Sequence, residues 1–252
     1  MLSLESVTRR FGGLTAVDGC SLAVEENFIF GLIGPNGAGK TTLINLVSGF
    51  YAPDAGRITF RGERIDGLPP NRVALRGITR TFQIPRLFPQ MTVLENVLLA
   101  SKGQRGEGLA RAMAGGYRGE EVRLVEKAAA LLEAIGLGGN ASDRAMNLSY
   151  GEQKLLELGR ALMGDPDLIL LDEPAAGVSS GMLSEMVGLI KGLRNRGKTF
   201  LIIDHDMGFI MSLCDRVAVM DHGKKIAEGK PRDIQGDERV IKAYLGGALP
   251  EG

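Results

Sequence analysis

A glycine-rich stretch, Gly34–Thr42, directly follows the apolar run Phe28–Ile33, and this pairing constrains the fold of the chain more than any other feature. It fits the pattern G-x-x-x-x-G-K-[ST], in which a strand leads into a loop and the loop into a helix. Glycines let such a loop curl until successive N–H groups point inward, towards phosphate. The sequence therefore predicts a nucleoside triphosphate site. The alternative, a glycine-rich turn that only caps a helix, fits the surrounding pattern less well.

The loop supplies a complete set of candidate phosphate-binding residues. They are Gly34, Pro35, Asn36, Gly37, Ala38, Gly39, Lys40, Thr41 and Thr42. Lys40 would place a charge between the β- and γ-phosphates of ATP, and the Thr41 hydroxyl would take one position on Mg²⁺. Kinases, GTPases, helicases and transport motors share such a loop, so it does not define the function by itself.

Composition and charge exclude several classes of protein. The chain has 252 residues, 44% of them hydrophobic, and its 30 lysines and arginines balance 30 acidic residues. No net field therefore draws it to nucleic acid or acidic lipid. No apolar run approaches the roughly 20 residues that span a bilayer. Cys20 and Cys214 lack metal-like spacing and indicate a reducing compartment, so we expect a cytoplasmic protein that neither crosses a membrane nor is exported.

The hydrophobic pattern predicts an α/β fold in which both ends of the chain share one sheet. The predicted strands are Leu2–Val7, Ser21–Val24, Phe28–Ile33, Ile58–Phe60, Leu168–Leu171 and Thr199–Ile203, followed by a hairpin of Arg216–Met220 and Lys225–Glu228. Between them, residues 90–165 show helical spacing and form a helical lobe, while residues 1–89 and 166–252 form a core lobe of the same domain. Gly103–Gly119 is predicted to be a surface loop.

Two carboxylates follow the apolar strand Leu168–Leu171, at the carboxyl edge of a sheet where ligands collect. Asp172 would orient Mg²⁺, directly or through water, and Glu173 would polarise the water that attacks the γ-phosphate. A surface turn can also carry Asp-Glu. The four apolar residues before the pair, and Pro174 after it, favour the functional interpretation because the strand must end there.

A second motif, Leu148–Gln153, precedes this strand by about twenty residues and begins with Ser149, a candidate helix N-cap. Placed between the phosphate loop and the Asp172-Glu173 strand, the motif resembles the signature sequence of the ABC (ATP-binding cassette) ATPases. Glu152 stands where that family more often has Gln. In the family, Ser149 and Gly151 of one subunit complete the phosphate site of another, so the resemblance implies a head-to-tail pair with two composite ATP sites.

The same resemblance assigns three single residues. Gln83, expected to end a short strand, matches the glutamine that senses Mg²⁺ and the γ-phosphate, and His205 matches the histidine that contacts the γ-phosphate. Phe11 is similar to the aromatic residue that stacks on adenine, although its spacing fits a core residue equally well. His222, in the predicted hairpin turn, has a structural interpretation only. The implied fold is a P-loop NTPase of ABC type, with a mixed core sheet, an N-terminal antiparallel β part and a helical subdomain.

More narrowly, the chain resembles the longer ATPase subunit of branched-chain amino acid importers. The resemblance rests on five stretches, which are Arg9–Val17, Arg80–Phe88, Asn147–Gln153, Glu173–Gly177 and Lys242–Gly246. It implies ATP and Mg²⁺ as cofactors, and two permease subunits and a second related ATPase, or a second copy, as partners. An extracytoplasmic substrate-binding protein would act indirectly, and the chain would sit peripherally on the cytoplasmic face of the membrane. Relatives associated with urea, short amides and aromatic acids leave the cargo open.

Two departures from this subfamily are present. Val178-Ser179-Ser180 replaces a usual Leu-Asn-Pro in a loop that communicates between sites, and Asp204 replaces the Glu that usually precedes the histidine. Two other functions remain open, namely a soluble ABC ATPase that scaffolds an assembly or acts on nucleic acid, and a simple nucleotide-binding switch or kinase. The second of these leaves Leu148–Gln153 unexplained.

Overall fold

A computed structural model describes residues 1–101 and 118–246, which divide into two compact units. The core unit comprises Met1–Gln83, Asp167–Ala176 and Ile190–Gly252, and the helical unit comprises Ile84–Pro166 and Gly177–Leu189. Most of the predicted surface loop Gly103–Gly119 lies outside the described residues.

A six-stranded sheet forms the centre of the core unit. Its strands, in spatial order, are β10 (Lys224–Gly229), β9 (Arg216–Asp221), β3 (Ile29–Ile33), β8 (Thr199–Ile203), β7 (Leu168–Asp172) and β6 (Ile78–Arg80). β10 pairs with β9 in antiparallel orientation, and the other pairs are parallel. Every residue of β3, β7 and β8 is buried, as expected for central parallel strands. The prediction that both ends of the chain share one sheet is confirmed for β3 alone among the first four predicted strands, since the others form a separate sheet, and the predicted hairpin is confirmed.

A second, antiparallel sheet in the core unit confirms the predicted N-terminal β part. Its order is β2 (Leu14–Val24), β1 (Leu2–Phe11), β4 (Ala55–Phe60) and β5 (Glu63–Arg64). β2 begins at Leu14, seven residues before the predicted start at Ser21. The first half of β2 lacks the regular alternation of buried and exposed residues that runs from Cys20 to Val24, so the hydrophobic pattern did not reveal its pairing with β1.

Short helices complete the core unit. They are α1 (Lys40–Val47), α2 (Pro70–Leu75), α7 (Met207–Leu213), α8 (Pro231–Gln235) and α9 (Glu238–Gly246). α1 follows the glycine-rich loop and buries Leu43, Ile44 and Val47 in the core beside β3 residues Phe30 and Leu32. This packing fixes the start of α1, and with it the position of Lys40.

The described residues of the helical unit contain α3 (Val93–Leu98), α4 (Arg118–Ala134), α5 (Tyr150–Met163) and two short 3₁₀ turns, while α6 (Ser180–Asn195) contributes residues to both units. Among the described residues from 90 to 165, extended pairing is limited to one bridge between Thr92 and Arg144. The prediction of a helical segment is thus confirmed for that part of the chain. Arg118 and Gly119, placed in a loop by the prediction, are the first residues of α4.

Candidate functional site

The glycine-rich loop connects β3 to α1 and packs tightly against neighbouring backbone. A β-carbon added at Gly34, where φ is +150°, would lie 2.1 Å from the carbonyl oxygen of Met220. One added at Gly39, where φ is +97°, would lie 2.2 Å from the carbonyl oxygen of Ala16. Both obstacles are backbone atoms that cannot rotate away. The loop therefore requires glycine at these positions, for both conformation and space.

Lys40 is the first residue of α1, and its side chain is almost fully buried. Its Nζ donates hydrogen bonds to the carbonyl oxygens of Gly34 at 2.6 Å and Pro35 at 2.9 Å. Burial lowers the pKa of Lys40, while the carboxylates of Glu173 and Asp172 act in the opposite direction. The ammonium group is thus held by the loop itself, with two acidic side chains near enough to favour its charge.

Three of the predicted catalytic side chains converge at the carboxyl edge of the six-stranded sheet. Gln83 Nε2 donates a hydrogen bond of 2.6 Å to Glu173 Oε2, and His205 Nδ1 lies 3.8 Å from the same oxygen. Glu173 adopts a left-handed backbone conformation, with φ of +49°, and its N–H donates to the Ile203 carbonyl oxygen at 2.7 Å. Strained backbone of this kind is typical of functional sites.

Gln83 reaches this cluster from a position that the sequence did not predict. β6 ends at Arg80, so Gln83 lies beyond the strand and does not end it. The Thr81 N–H makes one more hydrogen bond, of 2.9 Å, to the Leu170 carbonyl oxygen of β7. The ring of the following residue, Phe82, packs edge-on against the Phe50 ring, with centroids 6.3 Å apart. The chain therefore leaves the sheet before Gln83, and an aromatic contact follows the last hydrogen bond to β7.

Asp172 forms a buried ion pair with Arg80, a residue to which the sequence analysis gave no role. Arg80 Nη2 lies 2.8 Å from Asp172 Oδ2, and both side chains are less than one-tenth exposed. Nη1 of Arg80 donates to Asn45 Oδ1 at 2.5 Å and to Ser48 Oγ at 3.3 Å, which ties β6 to α1. The sequence offered one indication of this ion pair, a basic residue shortly before Gln83. Arginine in a short strand more often faces solvent, so that indication did not predict a buried pair.

Asp204 is fully buried and connects the backbone on either side of the cluster. Its carboxylate accepts hydrogen bonds from the N–H of Ala175 at 2.8 Å and of Asp206 at 2.9 Å. Burial raises the pKa of Asp204, and the hydrogen bonds from Asp206 and Ala175 lower it in part. Its contacts tie the segment after Glu173 to the segment that carries His205.

Phe11 lies at the end of β1 with its side chain 38% exposed. Its ring packs edge-on against Tyr51, with centroids 5.2 Å apart, and the Arg9 guanidinium lies 4.8 Å from the ring centre. The residue is therefore part of a partly exposed aromatic cluster, outside the buried core. Adenine stacking by Phe11 stays a prediction.

In the helical unit, Ser149 caps the N-terminus of α5, as predicted. Ser149 Oγ accepts a hydrogen bond from the Glu152 N–H, and the Glu152 carboxylate accepts from the Ser149 N–H at 2.7 Å and its hydroxyl at 2.6 Å. A β-carbon on Gly151 would lie 2.2 Å from Met182 Sδ. Glu152 thus completes a capping box, which gives its carboxylate a local structural role.

Replacing Ser149 by Ala is expected to lower the free energy of unfolding by about 1 kcal/mol, because α5 loses its N-cap. Thr92→Ala is a matched comparison, since Thr92 forms the same capping box with Glu95 at the start of α3. We expect a similar loss from both variants in urea denaturation. Unchanged stability of Ser149→Ala would contradict the capping geometry.

A glycine-rich loop at the start of a helix, with acidic residues at the edge of a nearby parallel strand, defines the P-loop class of nucleotide-binding proteins. The family model for ABC transporter matches residues 17–176, and a model for branched-chain amino acid ATP-binding cassette transporter matches residues 224–249. The chain belongs to the ABC transporter family, and it is an ABC ATPase.

Curated relatives match along almost the whole chain. The high-affinity branched-chain amino acid transport ATP-binding protein LivG of Salmonella typhimurium is 43% identical over 251 residues, which cover 98% of each chain. The protein of the same description named BraF, from Pseudomonas aeruginosa, is 43% identical over 253 residues, again covering 98% of each chain. These relatives confirm the resemblance that the sequence motifs indicated.

Solved structures agree with this assignment. An ATP-binding cassette of an ABC transporter in its ADP conformation is 37% identical, with a TM-score of 0.86 and 98% coverage of both chains. A cassette in a dimeric, post-hydrolysis state bound to ADP and Pi is 26% identical, with a TM-score of 0.76 over 92% of this chain and 99% of that one. The predicted fold class is confirmed. Among the described residues of this protein, no helix is long and apolar enough to span a bilayer.

Proposed function

We propose that this chain is the ATP-binding and ATP-hydrolysing subunit of an importer for branched-chain amino acids or a related small amide or carboxylate. The observation that carries the hydrolytic part is the convergence of Gln83 and His205 on one oxygen of Glu173. The cargo is proposed from LivG and BraF, which are described as branched-chain amino acid transport proteins. Each is 43% identical to this protein over 98% of the chain.

ATP would bind with its phosphates on the loop from Gly34 to Thr42 and its base near Phe11. The N–H groups of the loop and the positive end of α1 would hold the phosphate oxygens. Lys40 would exchange a carbonyl contact for phosphate, which favours its charged form because the ligand is anionic. The loop is preorganised for this step by the backbone contacts at Gly34 and Gly39.

Mg²⁺ fits the donor chemistry of this site. Thr41, Gln83 and Asp172 offer hydroxyl, amide and carboxylate oxygens, which are the ligands that Mg²⁺ prefers, and the ion usually keeps waters and substrate oxygens as well. A dense cluster of protein ligands is not required for this, and the described residues contain no group of three His, Cys, Asp or Glu side chains suited to a metal. When bound, Mg²⁺ would neutralise charge on the β- and γ-phosphates.

Glu173 would act as the general base that polarises the attacking water. A base needs to lie within hydrogen-bond reach of the water, and Gln83 and His205 would hold the carboxylate and the γ-phosphate in that geometry. The Ile203 carbonyl fixes the Glu173 backbone in its strained conformation, and Asp204 ties the neighbouring segments together. These contacts would hold the Glu173 carboxylate in one orientation before ATP binds, so that it is preorganised for the reaction.

A single copy would hold only half of each working site. Ser149 and Gly151 of a second cassette would complete the phosphate site, and the second cassette would be either another copy or a related ATPase. The dimeric relative bound to ADP and Pi supports this arrangement. ATP would then favour a closed pair and hydrolysis would reopen it, which is a population shift biased by the γ-phosphate.

Two permease subunits would receive this movement on the cytoplasmic face of the membrane, and a substrate-binding protein would deliver cargo from the other side. The segment Ile84–Val97 is the proposed contact with the permeases. Its side chains Ile84 and Phe88 are 74% and 49% exposed, so they offer apolar surface to a partner.

The test is affinity purification of tagged Glu173→Gln protein from detergent-solubilised native membranes with ATP present, followed by identification of the bound proteins. We expect two multispanning proteins and a second cassette, which is either a related ATPase or a copy of this chain. The matched control carries Lys40→Ala in addition, and it should recover less of the second cassette because ATP binding is lost. Recovery of soluble partners alone, with the tagged protein absent from membranes, would favour an assembly ATPase and would contradict the proposal.

A further inference from the structure

A cavity of about 520 Å³ lies directly beside the phosphate loop, and its opposite wall is the last described helix, α9. The loop contributes Pro35, Asn36, Gly37 and Ala38, the β9–β10 turn contributes Asp221 and His222, and α9 contributes Lys242 and Ala243. All of these residues belong to the core unit. The roles proposed above use neither α9 nor the turn.

The β9–β10 turn is joined to the phosphate loop by hydrogen bonds. The Gly223 N–H donates to the Ala38 carbonyl oxygen at 3.1 Å, and the Asp18 N–H donates to the Gly223 carbonyl oxygen at 2.9 Å. Met220, at the end of β9, contacts Gly34 closely enough that no β-carbon would fit there. The turn and the loop therefore form one continuous wall of the cavity.

α9 is anchored beside this wall by two side chains. Val240 is buried, and Tyr244 is half-buried with its hydroxyl oxygen shielded from solvent. Burial raises the pKa of the Tyr244 hydroxyl. α9 packs against β10 and α8, so these two side chains hold it on the core unit.

Lys242 is the charged residue that α9 brings to the cavity. Among the described residues that line the cavity, it is the one lysine or arginine. The acidic side chain there, Asp221, is engaged within its own turn, since its Oδ1 lies 2.7 Å from His222 Nδ1. None of the ion pairs among the described residues involves Lys242, so its ammonium group is free to meet an anion.

We propose that Lys242 is an additional phosphate-binding residue, which α9 carries to the cavity lined by the loop that holds the phosphates of ATP. The inference rests on the proposed nucleotide site and extends it to the C-terminal segment, which the branched-chain amino acid model matches separately. In this arrangement Lys40 holds the phosphates from within the loop, and Lys242 adds a second positive charge from the α9 side of the cavity. Tyr244 is a positioning residue, because it acts through the placement of α9.

The test is isothermal titration of the full-length protein with ATP and with inorganic tripolyphosphate. Lys242→Gln is expected to weaken both by about 5- to 10-fold, because one charge-assisted contact to phosphate is lost. Lys242→Arg should retain most of the affinity. Lys230→Gln is the matched control, since it removes the same charge from an exposed position of the C-terminal segment outside the cavity lining, and it should change neither affinity.

A second pair of variants tests the anchoring by Tyr244. Tyr244→Ala should weaken ATP binding by a similar factor and add little when combined with Lys242→Gln, since both act through one contact. Equal ATP affinity in Lys242→Gln and wild type would overturn the inference while leaving the proposed function intact. Failure of the folded wild-type protein to bind ATP would instead overturn the proposed function. A loss for ATP without a loss for tripolyphosphate would also overturn the inference, because Lys242 would then act on the nucleoside.

Discussion

Glu173→Gln is expected to lower the rate of ATP hydrolysis by on the order of 10²–10⁴, because a positioned general base is lost. The amide keeps the size of the carboxylate and can still accept the hydrogen bond that Gln83 donates. ATP affinity should therefore change little. Phosphate release under single-turnover conditions measures the chemical step, and calorimetric titration with ATP measures the binding.

Glu26→Gln is the matched control for this variant, since it makes the same chemical change at an exposed position in the turn after β2. It should hydrolyse ATP at the wild-type rate. If Glu173→Gln also kept the wild-type rate, Glu173 would not be the base, and the convergence of Gln83 and His205 on its carboxylate would need another explanation.

Arg80→Met is expected to lower the free energy of unfolding by about 3–5 kcal/mol, because it leaves the buried Asp172 carboxylate without its partner. The variant also removes the hydrogen bonds from Arg80 to Asn45 on α1 and to Ser48, the residue that follows this helix. Equilibrium denaturation in urea measures the loss. The further change Asp172→Leu should restore part of the stability, since a well-packed apolar pair is often as stable as a buried ion pair.

Arg76→Met supplies the comparison with a surface pair. Arg76 lies 3.0 Å from Glu63, but the two side chains are 36% and 68% exposed, so this pair should contribute no more than about 1 kcal/mol. If Arg80→Met and Arg76→Met lowered the free energy of unfolding equally, burial would not determine how much the Arg80–Asp172 pair contributes to stability.

Sequence reasoning succeeded where the signal is local. The loop from Gly34 to Thr42, the buried strands β3, β7 and β8 and the β9–β10 hairpin each occupy one short stretch with a distinct pattern of glycine, apolar residues or turn residues. The N-cap at Ser149 is equally local, because its partner Glu152 is three residues away. Such elements are specified by residues that are neighbours in sequence and depend little on contacts with distant parts of the chain.

The sequence did not predict features whose determining contact joins residues that are distant in sequence. Arg80 and Asp172 are separated by 92 residues, and only the pairing of β6 with β7 brings them together. Asp204 reaches the Ala175 N–H across 29 residues, so its role could not be read from its own neighbourhood. Likewise, Lys242 and Ala243 line one cavity with the phosphate loop because of where α9 lies in the fold, which no periodicity indicates.

ATP-driven uptake of radiolabelled leucine by proteoliposomes that contain the purified transport complex tests the central claim most directly. With the binding protein outside and ATP enclosed with the cassettes, wild-type complex should accumulate leucine, and complex built with Glu173→Gln should lose nearly all of this uptake. Valine and isoleucine in excess should compete. Leucine uptake at the same rate with Glu173→Gln, or without ATP, would contradict the account, because the chain would then not power import through the site described.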